Sequence, residues 1–129
     1  MKTVLLYVSH QSHDFNTSVA ALASVARDSG FEYELCGISD GESVEQVAER
    51  VCSLDPQIIA ATFFTRDIPG FYSLLPILKR RTGAFIAVGG YHATLRTREV
   101  ARWAGVDGIC VGEGERPFRT LLQTITAGR

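Results

Sequence analysis

Several absences bound this sequence before any motif is considered. It contains no apolar run long enough to cross a membrane, and the stretch Met1-Lys2-Thr3-Val4-Leu5-Leu6-Tyr7-Val8 is too short for a secretory signal or a span. It has no surplus of basic residues: the formal net charge is -1, with 21% of residues charged. Such a balance leaves no face-wide cationic surface to neutralise phosphates, so nucleic acid is not an expected partner. The three cysteines, Cys36, Cys52 and Cys110, include no close pair. That spacing excludes a zinc knuckle and a CxxxCxxC loop able to hold an iron–sulfur cluster. It fits reduced, buried thiols in a cytoplasmic protein. No repeat, low-complexity tract or linker interrupts the chain, so one domain over residues 1–129 is expected.

What is present is a regular alternation of apolar runs and amphipathic stretches, with 46% of residues hydrophobic. Residues 3–9 form a continuous apolar run, the mark of a central strand covered on both faces. A helix is expected over 16–30, with Asn16 as N-cap, Gly30 as stop, and Val19, Leu22, Ala23 and Ala26 on one face. A second strand over 31–38 closes at the Asp40-Gly41 turn. Ser43, followed three residues on by Gln46, then writes a capping box for a helix that buries Val44, Val47, Ala48 and Val51. After the break at Asp55-Pro56 a third strand is expected over 57–64.

The next helix, over 67–79, carries Phe71, Leu74, Leu75 and Leu78 at helical spacing, but Pro76 should kink or restart it. The cluster Lys79-Arg80-Arg81 falls where that helix ends and complements its dipole. A fourth strand over 84–88 ends in Gly89-Gly90, a short helix over 97–104 stops at Gly105, and a fifth strand spans 106–111. The last helix starts near Pro117 and buries Phe118, Leu121, Leu122 and Ile125. This alternation implies the α/β class: a Rossmann-like, flavodoxin-like three-layer sandwich with a five-stranded parallel sheet in the order 2-1-3-4-5. Ligands of such sheets bind beyond the carboxyl ends of the strands.

The loops at those ends narrow the chemistry. The first, Ser9-His10-Gln11-Ser12-His13, has no acidic pair to hold magnesium for a phosphorylated receiver. It also has no glycine to let the backbone close around a flavin phosphate. Gly112-Glu113-Gly114-Glu115 matches two glycines of a dinucleotide fingerprint at the wrong strand, and its glutamates would repel a pyrophosphate while suiting the helix dipole. Small residues nonetheless end three neighbouring strands: Ala60-Ala61-Thr62, Gly89-Gly90, and Gly112 with Gly114. Bare strand ends describe a slot between sheet and helices, suited to a long, slim, mostly neutral ligand arm. No nucleophile–base pair or metal triad is present, so catalysis by this chain alone is not expected.

Val88-Gly89-Gly90-Tyr91-His92-Ala93-Thr94, followed by Val106-Asp107-Gly108-Ile109-Cys110-Val111-Gly112-Glu113-Gly114-Glu115, resembles the cobalamin-binding domain of cobalamin-dependent radical S-adenosylmethionine enzymes. The resemblance implies cobalamin held base-off, with its nucleotide tail in the slot and its corrin over the strand ends. It assigns Gly89, Gly90, His92, Thr94, Gly112, Glu113 and Gly114 to the tail and Tyr91, Ala93 and Glu115 to the cofactor site, with Thr62, Phe63, Phe64 and Thr65 approaching from the third strand. Ser9, His10, Gln11, Ser12 and His13 would face the lower side of the corrin. Methionine synthases and carbon-skeleton mutases place a cobalt-ligating His in Asp-x-His-x-x-Gly. Here Val8 precedes His10 by two positions and Gln11 precedes His13, so neither histidine fits that pattern. Two outcomes stay open for cobalt: no protein ligand, or coordination by His10 or His13.

The resemblance further implies a partner, a radical S-adenosylmethionine catalytic domain that supplies S-adenosylmethionine and an iron–sulfur cluster. That domain would follow in a longer chain or be a separate subunit, and the pair would perform methyl transfer or cyclisation. Two other readings stand beside it. One is a flavodoxin-like protein binding flavin mononucleotide for electron transfer or sensing. The other is a domain that keeps the fold only as an interaction surface.

Overall fold

In the computed structural model the described residues are 2–9, 17–28, 30, 32–39, 41–62, 68–89, 102, 104–109 and 115–126. Within them the order is β1 (Lys2–Ser9), α1 (Thr17–Asp28), β2 (Glu32–Ser39), α2 (Val44–Ser53), β3 (Ile58–Thr62), α3 (Ile68–Thr82), β4 (Phe85–Gly89), β5 (Gly108–Ile109) and α4 (Glu115–Thr126). All pairings are parallel and the sheet order is β2-β1-β3-β4-β5, as the alternation of runs predicts.

Register fixes which side chains share a face. One transverse row is Leu35, Leu5, Ala60, Ala87 and Gly108; the next is Cys36, Leu6, Ala61, Val88 and Ile109. Successive residues of a strand point to opposite faces, so these rows lie on opposite sides of the sheet. The second side meets α2 and α3 in a core that includes Val4, Leu6, Cys36, Val47, Val51, Ile59, Ala61, Leu75, Leu78, Ile86 and Val88. The first meets α1 and α4 in a smaller core of Leu5, Ala23, Val25, Ala26, Ile58, Ala60, Phe118 and Leu122.

Local chemistry sets the helix ends. The Ser43 backbone N–H donates to Gln46 Oε1 at 2.9 Å and the Gln46 N–H donates to Ser43 Oγ at 3.1 Å, the reciprocal capping box expected for α2. Gly30, with φ 81, donates its N–H to the Arg27 carbonyl and stops α1 as expected. The Asn16 cap, the side chains of Val19, Phe71 and Ile125, and Cys110 lie outside the described residues.

Three expectations change. First, α3 runs as one helix through Pro76 rather than restarting there. The missing backbone donor costs about 3 kcal/mol in an isolated helix. Burial of Leu74, Leu75 and Leu78 on either side of it supplies an opposing term of about 2 kcal/mol each.

Second, β5 begins at Gly108, two residues later than expected. Asp107 Oδ2 accepts the Ile86 N–H at 2.9 Å and the Asp107 N–H donates to the Ile86 carbonyl at 2.8 Å, so a carboxylate replaces a ladder carbonyl. Lys79 Nζ donates to that same oxygen at 2.7 Å and to the Ala84 carbonyl at 3.0 Å, giving one member of the basic cluster a bracing role besides its dipole position. Third, α4 opens at Glu115 with Pro117 inside its first turn, where no intrahelical donor is needed. Of the helix expected over 97–104, only Arg102 and Ala104 are described, and both are in turns.

Candidate functional site

A right-handed parallel sheet brings the carboxyl ends of its strands to one rim, and the described parts of the expected site meet there. Thr62 and Gly89 are register partners at the ends of β3 and β4. Ser9 ends β1 opposite Ser39, and Glu115 opens α4. His10, Gln11, Ser12, His13, Phe63, Phe64, Thr65, Gly90, Tyr91, His92, Ala93, Thr94, Gly112, Glu113 and Gly114 lie outside the described residues.

Below the rim, the two faces of β4 differ. On the α2–α3 side Ile86 and Val88 are fully packed. On the α1–α4 side β4 presents Phe85, Ala87 and Gly89, and β5 presents Gly108. Among the described residues, none of these four belongs to the α1–α4 core, whose sheet members come from β1 and β3 alone. Among the described residues the α1–α4 core thus reaches β3, where it includes Ala60, while β4 and β5 continue this face with the small residues Ala87, Gly89 and Gly108, of which Ala87 is buried. On the same face, at the carboxyl end of β3, stands Thr62, whose Oγ1 is buried without a hydrogen-bond partner. A buried hydroxyl in that state costs about 1–3 kcal/mol relative to a bonded one, so Thr62 holds a polar demand that a ligand acceptor or donor would meet.

Electrostatics elsewhere are locally settled. Arg50 Nη2 donates to the Gly37 carbonyl at 2.8 Å and to Glu42 Oε1 at 2.9 Å, while Nε lies 2.8 Å from Glu42 Oε2, fastening the turn after β2. Burial pushes the Cys36 thiol above its usual pKa, against the opposing pull of the Arg50 guanidinium. Cys36 and Cys52 are both free thiols; Cys36 is buried as expected, but Cys52 is only half-buried at the margin of the α2–α3 core. Among the described residues no group of three His, Cys, Asp or Glu is placed to hold a metal ion, and no helix is long and apolar enough to cross a membrane.

The sequence reading missed the shared face of β4 and β5. Ala87, Phe85 and Gly108 were legible only as members of apolar strands. The available signal was a size alternation, Phe-Ala-Gly against Ile-Val, within Phe85-Ile86-Ala87-Val88-Gly89.

A flavodoxin-like parallel sheet whose carboxyl rim carries Gly89 and an orphaned Thr62 hydroxyl is a fold that holds ligands at that rim. The chain belongs to the B12 binding domain family, whose model matches residues 1–122. Among curated proteins it is 26% identical over 113 residues to an uncharacterized methyltransferase, PH0819, of Pyrococcus horikoshii, covering 86% of this chain and 25% of that protein. It is 33% identical over 89 residues to the anaerobic magnesium-protoporphyrin IX monomethyl ester cyclase of Rubrivivax gelatinosus, covering 67% of this chain and 16% of that protein. The chain thus spans a quarter or less of the length of these relatives.

Among solved structures, the radical S-adenosylmethionine methyltransferase TsrM of Kitasatospora setae, with cobalamin and a [4Fe-4S] cluster bound, matches with a TM-score of 0.82 at 18% identity. The match covers 98% of this chain and 25% of that one. An archaeal flavodoxin matches with a TM-score of 0.51 at 14% identity, covering 99% of this chain and 98% of that one. Both likenesses are of fold. Cobalamin, the cofactor of the family, suits the described residues: the small residues Ala87, Gly89 and Gly108 permit close approach of a slim arm, and Thr62 has an unused hydroxyl.

Proposed function

We propose that residues 1–129 act as one module that holds cobalamin base-off, its nucleotide arm in a slot beside β3, β4 and β5 and its corrin over the strand ends. The observation that carries this reading is the row of small residues on one face of β4 and β5, Ala87, Gly89 and Gly108, with the orphaned Thr62 hydroxyl at its head. The arm would run past Gly89, Gly90, Tyr91, His92, Ala93 and Thr94 on one side and Gly112, Glu113, Gly114 and Glu115 on the other. Thr62, Phe63, Phe64 and Thr65 would close it from β3, and Ser9, His10, Gln11, Ser12 and His13 would lie beneath the corrin. When bound, cobalamin supplies a cobalt centre that carries an alkyl group or an electron. This chain's part is to bind it, keep its arm dry and present its upper face.

The catalytic partner is a radical S-adenosylmethionine domain, in the same longer chain or in a separate subunit. The short span of this chain against its methyltransferase and cyclase relatives supports that reading. The test is a visible-spectrum titration with hydroxocobalamin and methylcobalamin, repeated with flavin mononucleotide. Saturable binding with a base-off spectrum is expected, and flavin is expected not to bind. A spectral change on His10→Ala or His13→Ala would identify a cobalt ligand, and its absence an unligated lower face. A folded protein that takes up flavin but neither cobalamin would transfer the assignment to the flavodoxin-like alternative.

A further inference from the structure

β2 is an edge of the sheet, paired with β1 along all 8 of its residues, and among the described residues no strand lies on its other side. Proteins commonly blunt such an edge with a bulge, a proline or a lysine, because its free N–H and C=O groups template another strand. Glu32-Tyr33-Glu34-Leu35-Cys36-Gly37-Ile38-Ser39 has none of the three. The Lys2 carbonyl turns to the Gln57 N–H at the foot of β3, so Thr3, Leu5 and Tyr7 turn their backbone groups to β2 and bond the residues flanking their register partners. Tyr33, Leu35 and Gly37 are thereby left with backbone groups that point outward. The Gly37 carbonyl accepts Arg50 Nη2 at 2.8 Å, whereas those of Tyr33 and Leu35 meet nothing among the described residues. Residues 32–35 are all exposed. Tyr33 and Leu35, at 38% and 51%, are two of the three large apolar side chains exposed among the described residues.

We propose that β2 is a dimerisation edge: the β2 of a second copy pairs with it antiparallel about Leu35, joining two five-stranded sheets into one. The two halves of the strand complement each other across such an axis. The first half carries Tyr33 on the α1 side and Glu32 and Glu34 on the α2 side. The second half has Gly37, without a side chain and covered from β1 by the Tyr7 ring, whose hydroxyl oxygen and Cζ lie 3.1 and 3.2 Å from where a Cβ would stand. On the α2 side Arg50, its side chain 46% exposed, brings a guanidinium to that same residue. A two-fold axis at Leu35 lets the two Leu35 residues exchange backbone hydrogen bonds. It also sets Tyr33 opposite Gly37 of the second copy, against the Tyr7 ring, and brings Glu34 beside Arg50. An axis at Glu34 would instead oppose two carboxylates. The pairing lies at the sheet edge away from β4 and β5, so it stands independently of the cobalamin reading.

The experiment is sedimentation equilibrium without cofactor, run from about 5 to 500 µM because one pair of strands is a small contact. The mass of the unmodified chain should rise towards double with concentration. Leu35→Lys puts a charge on the edge and should leave a monomer throughout. Glu34→Lys sets a cation beside Arg50 of the second copy and should weaken the dimer by about tenfold or more. Hydrogen exchange reads the register: the Tyr33 and Leu35 amides should slow as concentration rises, while the Glu34 amide, already bonded within the sheet, should not change. Thermal melts identify a variant that has not folded. Should that be Leu35→Lys, Leu35→Thr keeps a strand-forming side chain and should still weaken the dimer. A chain that stays monomeric across the range overturns the proposal. So does a dimer that survives Leu35→Lys, which would use another surface, or one indifferent to Glu34→Lys, which would have another register.

Discussion

On the α2–α3 side of the sheet, packing continues from Cys36 on β2 to Val88 on β4, with Ile109 of β5 set against it. On the α1–α4 side, among the described residues, it ends at β3, although the same strands supply both faces. In β4, residues of one parity, Ile86 and Val88, serve the filled side, and those of the other, Phe85, Ala87 and Gly89, face away from it. Pleat alternation thus lets a strand of five residues be a core strand on one face and, in the reading proposed above, a ligand wall on the other. The division predicts that equal insults to the two sides have unequal consequences.

The largest effect should come from Gly105, which seats the segment before β5 on the filled side. Its φ is 91, and an added Cβ would stand 2.7 Å from the Leu75 carbonyl oxygen and 2.9 Å from its carbon. Both are backbone atoms, so no side chain can swing away. Gly105→Ala should cost about 3 kcal/mol, through left-handed strain and overlap together, read as a lowered urea midpoint. A midpoint within error of the unmodified chain would mean that the filled side has slack after all.

The sharpest comparison is Ala61→Leu against Ala87→Leu, the same substitution on adjacent strands and opposite faces. Ala61 is sealed in the α2–α3 core, and overpacking there should cost about 2 kcal/mol. Ala87 is buried as well, on the face where the described α1–α4 core stops at β3, and stability should fall by less, about 1 kcal/mol. Cobalamin affinity should respond in the reverse order, falling with Ala87→Leu and holding with Ala61→Leu. Equal destabilisation by the two would show the two faces of the sheet to be equally packed.

The strand order was readable because parallel strands buried on both faces leave continuous apolar runs, and because Ser43 with Gln46 and Gly30 carry local chemistry that needs no tertiary partner. Tertiary contacts decided what remained. Pro76 is overruled by the leucines around it, and β5 is shortened because the Asp107 side chain takes a backbone role that no periodicity encodes. The glycine motifs marked the rim, where loops must turn. The small-residue face of β4 and β5 was hidden because Phe85, Ala87 and Gly108 look, in sequence, like any other residues of buried strands. Only register reveals that they face away from the filled core.

A smaller effect separates two threonines. Thr3 is completely buried at the foot of β1 and Thr62 ends β3 at the carboxyl rim; the Oγ1 of each is buried and lacks a hydrogen-bond partner. Valine has nearly the shape of threonine without the hydroxyl, so each substitution removes a desolvated polar atom and should raise the stability of the free chain by about 1 kcal/mol. With cobalamin present the two should part: Thr3→Val keeps its gain and its affinity, whereas Thr62→Val binds more weakly in the spectroscopic titration. Equal affinity for both variants would remove Thr62 from the site.

The smallest effect tests the filled side by pH. Burial raises the Cys36 thiol above its ordinary value of 9.0, with the Arg50 guanidinium opposing. As pH climbs, the unfolded chain, whose thiol titrates near the ordinary value, loses its proton first. The native state still holds its proton there, so unfolding is favoured. The contribution of Cys36 is therefore complete below that value and declines as pH rises through it towards the raised native pKa. Other groups titrate in the same range, so the informative quantity is a difference. Urea midpoints of the unmodified chain should fall more steeply above about pH 9 than those of Cys36→Ala, with parallel profiles below. Parallel profiles throughout would mean that water reaches Cys36, and the contrast between a sealed face and an open one would lose its support at β2.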